Sequence, residues 1–136
     1  MVARFALTFL LLFLLFSASF AQAEAGVSVV EMKFCTGLEN RQPVGASSQF
    51  FNAVDKIYCY TRIQGAVETT TVRHVWYFDE KEKADVELPV RSSSWRTWSS
   101  KRMLLEWAGV WRVEVVTADG TVLLSKEFVY KPMTER

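Results

Sequence analysis

The chain is poor in the residues that most often carry chemistry. It has one histidine, His74, and two cysteines, Cys35 and Cys59. With one histidine, no Ser–His–Asp arrangement can be read from the sequence. Two cysteines and one histidine also fall short of a tetrahedral metal set unless carboxylates join them. No Gly-rich loop is present to cradle a phosphate, and no nucleotide motif occurs, so neither a metal nor a cofactor is expected. Three prolines and six glycines are too few for a linker, and no repeat or low-complexity tract stands out. No second long apolar run follows the N-terminal one, so the mature chain is not expected to span a membrane.

The apolar run that is present lies at the start. Arg4 is followed by Phe5 to Phe16 without a charged residue, and Ala21-Gln22-Ala23 forms a small-x-small cleavage site. Residues 1–23 therefore read as a secretory signal peptide. The run is short for a span, which needs about 20 residues, and no cysteine follows it that would take a lipid anchor. The mature chain would begin near Glu24 and keep 113 of the 136 residues as a single domain with a modest core. Losing Arg4 leaves fifteen bases and fifteen acids. A neutral chain gives no electrostatic case for nucleic acid.

Export also bears on the cysteines. An even count in an oxidising compartment such as the periplasm suggests a Cys35–Cys59 disulfide. Closing a loop of about 25 residues would stabilise the fold by roughly 3.5 kcal/mol in the chain-entropy model.

The mature chain alternates apolar and polar residues in short runs, with no long helical pattern. Val27 to Cys35, Lys56 to Ile63, Thr69 to Phe78, Ala84 to Val90, Ser94 to Ser100, Gly109 to Val115 and Val122 to Tyr130 read as strands. Thr36 to Gln49 is polar and reads as a long loop, with Phe50-Phe51 tucking it back onto the core. Asp79 to Lys83 reads as a charged turn. Pro89 cannot donate to a ladder and predicts an edge or a strand end. Lys101 to Trp107 fits a helical turn, and Ala118-Asp119-Gly120 is a hairpin signal. About seven strands with short connections predict an all-β antiparallel sandwich, immunoglobulin-like, with a small β-barrel as the alternative. Trp76 and Trp111 share strand faces with apolar residues and are expected in the core. His74 is expected as a hydrogen-bonded, partly buried imidazole.

Several strings together resemble the bacterial family named domain of unknown function 2914. They are Cys35-Thr36-Gly37, Asn40-Arg41-x-Pro43, Tyr58-Cys59-Tyr60-Thr61, His74-Val75-Trp76-Tyr77, Trp95-Arg96-Thr97-Trp98-Ser99-Ser100-Lys101 and Gly109-x-Trp111. The resemblance covers about residues 30–125. It implies a fold unit and no mechanism, because the family carries no established activity.

Catalysis finds little support in the residues. Ser99-Ser100-Lys101 suggests a Ser–Lys pair, but neighbours on a strand point to opposite faces. Asp79, Glu80, Glu82, Asp85 and Glu87 could include a glycosidase pair, yet a charged turn explains them more simply. Binding has the better argument. Four of the five tryptophans fall between positions 95 and 111, interleaved with Arg, Lys and Ser. Trp95 and Trp98 are three apart, so on a regular strand one of them leaves the core. An indole beside a cation suits stacking on a sugar or a partner side chain. The expected recognition surface is therefore Arg41, Trp95, Arg96, Trp98 and Lys101, on an exported cell-envelope module that binds a glycan or an envelope protein. The alternatives are a structural accessory domain of an envelope complex without a small ligand and, third, a hydrolase.

Overall fold

The computed structural model describes residues 26–133, so the expected signal peptide lies outside the described residues. Seven strands of eight to ten residues carry the fold: β1 (Ser28–Cys35), β5 (Lys56–Gln64), β6 (Thr70–Phe78), β7 (Lys81–Val90), β8 (Ser94–Arg102), β9 (Gly109–Thr117) and β10 (Val122–Lys131). They coincide with the seven runs of alternating residues. Two strands of three residues are added inside the segment expected to be a loop, β2 (Gly37–Glu39) and β3 (Gln42–Val44), and a third, β4 (Gln49–Phe51), begins at its end, where Phe50 is buried and Phe51 is exposed. A 3-10 turn at Leu105–Trp107 occupies the expected helical position.

Two open sheets face each other, one ordered β1-β5-β8 and the other β4-β10-β9-β6-β7, while β2 and β3 form a separate hairpin. All neighbours are antiparallel except β4, which runs parallel to β10. The chain crosses between layers through the β2–β3 hairpin from β1 to β4 and again after β4, β5, β7 and β8, which is an immunoglobulin-like sandwich arrangement and not a closed barrel. β7 is an edge strand, and Pro89 lies on it together with charged residues that discourage further pairing.

The inner faces follow the period of two. Ile57, Cys59, Thr61 and Ile63 of β5 meet Val72, His74 and Trp76 of β6 and Trp111, Val113 and Val115 of β9, all buried. Trp76 and Trp111 are both 0% exposed, as their strand positions predict. Trp111 stacks on Phe128 at 6.0 Å and meets Trp76 edge-on at 6.5 Å. Each indole N–H has an acceptor: Trp111 Nε1 donates to the Trp107 carbonyl at 2.9 Å and Trp76 Nε1 to Ser99 Oγ at 3.0 Å. At one end of the sandwich Gly65 has φ +94°, and a Cβ there would meet the Gly26 carbonyl oxygen at 1.6 Å. Only glycine can end β5 in this way.

The cysteines correct the sequence expectation. Cys35 and Cys59 are both free and buried. The β1–β5 register sets Cys59 opposite Phe34 and Cys35 opposite Tyr58. Side chains one position out of phase point to opposite faces of a sheet, so a bridge would require one of them to turn through it. Burial raises the pKa of both thiols, which keeps them protonated and inert.

Candidate functional site

Nine consecutive rungs pair β5 with β8 without a register shift. No bulge intervenes, so the two tryptophans separate as the period of two requires. Trp95 lies opposite buried Ile63 and packs against the core, whereas Trp98 lies opposite Tyr60 on the outward face. Both indoles are half-buried. Tyr60 also points outward, yet it is only 1% exposed.

The β2–β3 hairpin brings the cation. Glu39 pairs with Gln42, leaving Asn40 and Arg41 as a two-residue turn with φ of 49° and 60°. This is the type I′ geometry, in which the second position is the usual place for glycine. An arginine there costs about 1–2 kcal/mol of backbone strain. Its guanidinium carbon sits 5.7 Å from the Trp95 ring centroid and 5.9 Å from that of Trp98. β8 lies at the edge of its sheet, so one guanidinium at that edge reaches indoles that project to opposite sides. Arg41, Trp95 and Arg96, with Ser92 and Ser94, line a shallow cavity of about 270 Å3.

Four of the five expected surface residues therefore come together, and Lys101 does not. Along β8 it lies about 20 Å from Trp95, at roughly 3.3 Å per residue. There its ammonium sits 4.6 Å from the Trp107 ring, which Lys83 also approaches at 5.6 Å. Burial, and secondarily the Lys83 charge, lowers the Lys101 pKa.

The sequence reading missed Arg62. It projects outward from β5 directly opposite Arg96. Glu31 Oε2 is 3.9 Å from Arg62 Nε, too far to accept a hydrogen bond. Among the described residues, Arg62 Nε is the one buried side-chain nitrogen or oxygen without a hydrogen-bond partner. Its position opposite Arg96 could be found only from the strand register. The turn at Asn40-Arg41 has a clearer signal in Asn40, a common first residue of type I′ turns, but Arg41 in the glycine position hides it.

The interior holds a Ser–His contact of a different kind. Ser99 Oγ lies 2.7 Å from His74 Nδ1, and His74 Nε2 lies 3.1 Å from Thr61 Oγ1. The Thr61 hydroxyl donates to the Thr97 carbonyl at 3.2 Å, so its oxygen accepts from Nε2–H. Nδ1 then accepts from the Ser99 hydroxyl, whose oxygen accepts from the Trp76 indole. Every donor in this chain has one acceptor, provided that His74 is neutral. Burial lowers its pKa to about 4. Among the described residues no carboxylate orients the imidazole, and both His74 and Ser99 are buried away from solvent. The cluster joins the sheet of Thr61 and Ser99 to the sheet of His74 and Trp76.

Residues 69–130 match the model of a family described as a protein of unknown function, DUF2914. Over this stretch, somewhat less than half of the chain, the sequence is similar to that family. The match runs from β6 almost to the end of β10, so it includes His74, Trp95, Arg96 and Trp98 but not Arg41 or Arg62. It begins later than the resemblance over residues 30–125 suggests. No curated protein matches the chain. Among solved structures, an endonuclease/exonuclease/phosphatase from Beutenbergia cavernae DSM 12333 matches at 19% identity with a TM-score of 0.35, over 77% of this chain and 35% of that one. The present chain thus spans about a third of that protein's length, and so low a score carries no argument about this one.

Proposed function

We propose that the protein is an exported cell-envelope binding module, with residues 1–23 removed as a signal peptide. Its recognition face is the outward side of β5 and β8 around Arg96 and Trp98, together with the β8 edge where Arg41 meets Trp95, and it recognises a glycan. One observation carries this reading: Arg41, in a backbone conformation that favours glycine, reaches both indoles. Glycine is the residue this position favours, so an arginine there is held by what its side chain contacts. Strain of this kind persists where a side chain is needed, and functional sites collect it. Half-buried indoles beside a cation and hydroxyls match what a sugar ring offers, an apolar face with a polar rim.

The test is retention on a cell-envelope fraction. The wild-type protein is retained, and Trp98→Ala abolishes retention with a stability loss below about 2 kcal/mol, the range of a partly exposed truncation. Unchanged retention in both the Trp98→Ala and the Arg41→Gly proteins would overturn the reading.

A second reading, an accessory domain docked on an envelope protein, is favoured by the opposite end of β8. Leu104, Leu105 and Val110 are exposed there beside half-buried Trp107, an apolar patch suited to a partner surface. Leu105→Glu would abolish retention under that reading and leave it intact under the first.

A further inference from the structure

We propose that the ligand of this face is an anion, and that a carboxylate or phosphate oxyanion is held between Arg62 and Arg96. The inference rests on the reading of the β5–β8 face as the recognition surface, and it names the chemical class recognised there.

The rung is set by the backbone. Arg62 and Arg96 are directly opposite on antiparallel strands and on the same outward side. Directly opposite residues have Cβ atoms about 4.5–5.5 Å apart, and like charges in that arrangement destabilise a sheet. The same rung continues to Glu31 of β1, which could have neutralised the pair. Glu31 instead contacts Lys33 at 3.3 Å and stands 3.9 Å from Arg62. Among the described residues no acid lies within ion-pair distance of Arg96 or Arg41. Of the three guanidinium groups at this face, only that of Arg62 has a carboxylate near it, and Lys33 takes the closer contact with that carboxylate. The buried Arg62 Nε without an acceptor is the local sign of what is missing. A buried donor left unpaired in this way is destabilising, the more so when it is charged.

An oxyanion answers each point. Arginine presents a planar fork that carboxylate and phosphate match with two parallel hydrogen bonds. One oxyanion between the two forks would relieve the repulsion across the rung and supply Nε with an acceptor. Trp98 stands two residues along β8 on the same outward face as Arg96, so its ring can stack on the residue that carries the charge. A polysaccharide with acidic sugars, or one bearing phosphate groups, combines these features.

The experiment is a calorimetric titration of the purified protein with three probes. These are an oligogalacturonate, the same oligosaccharide with its carboxyl groups reduced to alcohols, and inorganic phosphate. The charged oligosaccharide or phosphate is expected to bind, more weakly as salt rises, and the reduced oligosaccharide not to bind. Arg96→Gln and Arg62→Gln should each weaken that binding at least tenfold, and Arg96→Lys by less, with melting temperatures near wild type. The stronger of the two charged probes identifies the carboxylate or the phosphate as the source. Should either glutamine variant unfold, its lysine counterpart is titrated in its place, and an unchanged affinity there would overturn the proposal.

Equal binding of the reduced and charged oligosaccharides would overturn it and leave the recognition face standing. So would binding that is indifferent to both glutamine variants. If none of the probes binds while Trp98→Ala still abolishes envelope retention, the anion proposal fails and the reading it rests on survives.

Discussion

The two outward faces of the sandwich treat charge in opposite ways. On the five-stranded sheet each arginine of β6 and β9 has an acid. Arg73 meets Asp85 at 2.6 Å, and Arg112 is bonded to Glu114 and, at 3.1 Å, to Glu80. Tyr77 lies beneath the Arg112 guanidinium at 4.1 Å. On the three-stranded sheet only Arg62 has an acid near it, Glu31 at 3.9 Å, while Arg96 and Arg41 have none within ion-pair distance among the described residues and Arg41 stands beside two indoles. The contrast extends to the two type I′ turns. Asp79-Glu80, with φ of 50° and 60°, puts an acid in the glycine position and directs it to Arg112. Asn40-Arg41 puts a cation there and directs it to Trp95 and Trp98. The first turn completes a charge balance and the second concentrates charge. A face whose charges cancel internally has no need of a partner, whereas one whose charges do not cancel is suited to an external anion.

The largest expected effect separates core from face. Trp111→Ala should cost roughly 3–5 kcal/mol, as large-to-small aromatic changes in cores do, and Trp98→Ala less than about 2 kcal/mol. Reversible denaturation of the two variants checks this. Equal losses would make Trp98 a core residue and erase the contrast.

Next in size is the polar cluster between the sheets, where every donor is satisfied. The His74 pKa, lowered to about 4 in the fold, returns to about 6.5 on unfolding. As pH falls below about 6.5 the unfolded chain takes up a proton that the folded chain refuses. Stability should therefore be full above that pH and fall down to about pH 4, by on the order of 3 kcal/mol from this group. The acid arm of the pH–stability curve should flatten when Gln replaces His74. An unchanged arm would show that other groups govern it.

Smaller effects compare the faces directly. Arg73→Ala should lose up to about 1 kcal/mol, the range of a surface ion pair. Arg96→Gln should lose nothing and gain a few tenths of a kcal/mol, because it removes a like-charge rung. Urea midpoints measured at low and high salt would show both, and a loss in Arg96→Gln matching that in Arg73→Ala would mean that both faces are internally paired. Arg41→Gly should stay within about 1 kcal/mol of wild type, since relief of the left-handed backbone offsets the lost cation–π contact. A reducing agent should leave the denaturation midpoint unchanged, whereas reduction of a Cys35–Cys59 bridge would remove roughly 3.5 kcal/mol of stability and lower it.

Alternation of apolar and polar side chains specified the seven long strands, the sandwich and the burial of Trp76 and Trp111, because period-two burial is a local property that each strand carries in its own residues. The same rule separates Trp95 from Trp98. Other features depended on which strands become neighbours, and loop paths decide that. The β5–β8 register placed Arg62 against Arg96, and the β1–β5 register put Cys35 and Cys59 on opposite faces where their number suggested a bridge. The fold-back of the β2–β3 hairpin seated Arg41 on both indoles. Straight extension of β8 carried Lys101 away to Trp107, although only a few residues separate it from Trp98. Sequence proximity along a strand is converted into distance at about 3.3 Å per residue. Proximity across strands is created by pairing alone, so the face that joins Arg41, Arg62, Arg96 and Trp98 exists only in the folded chain.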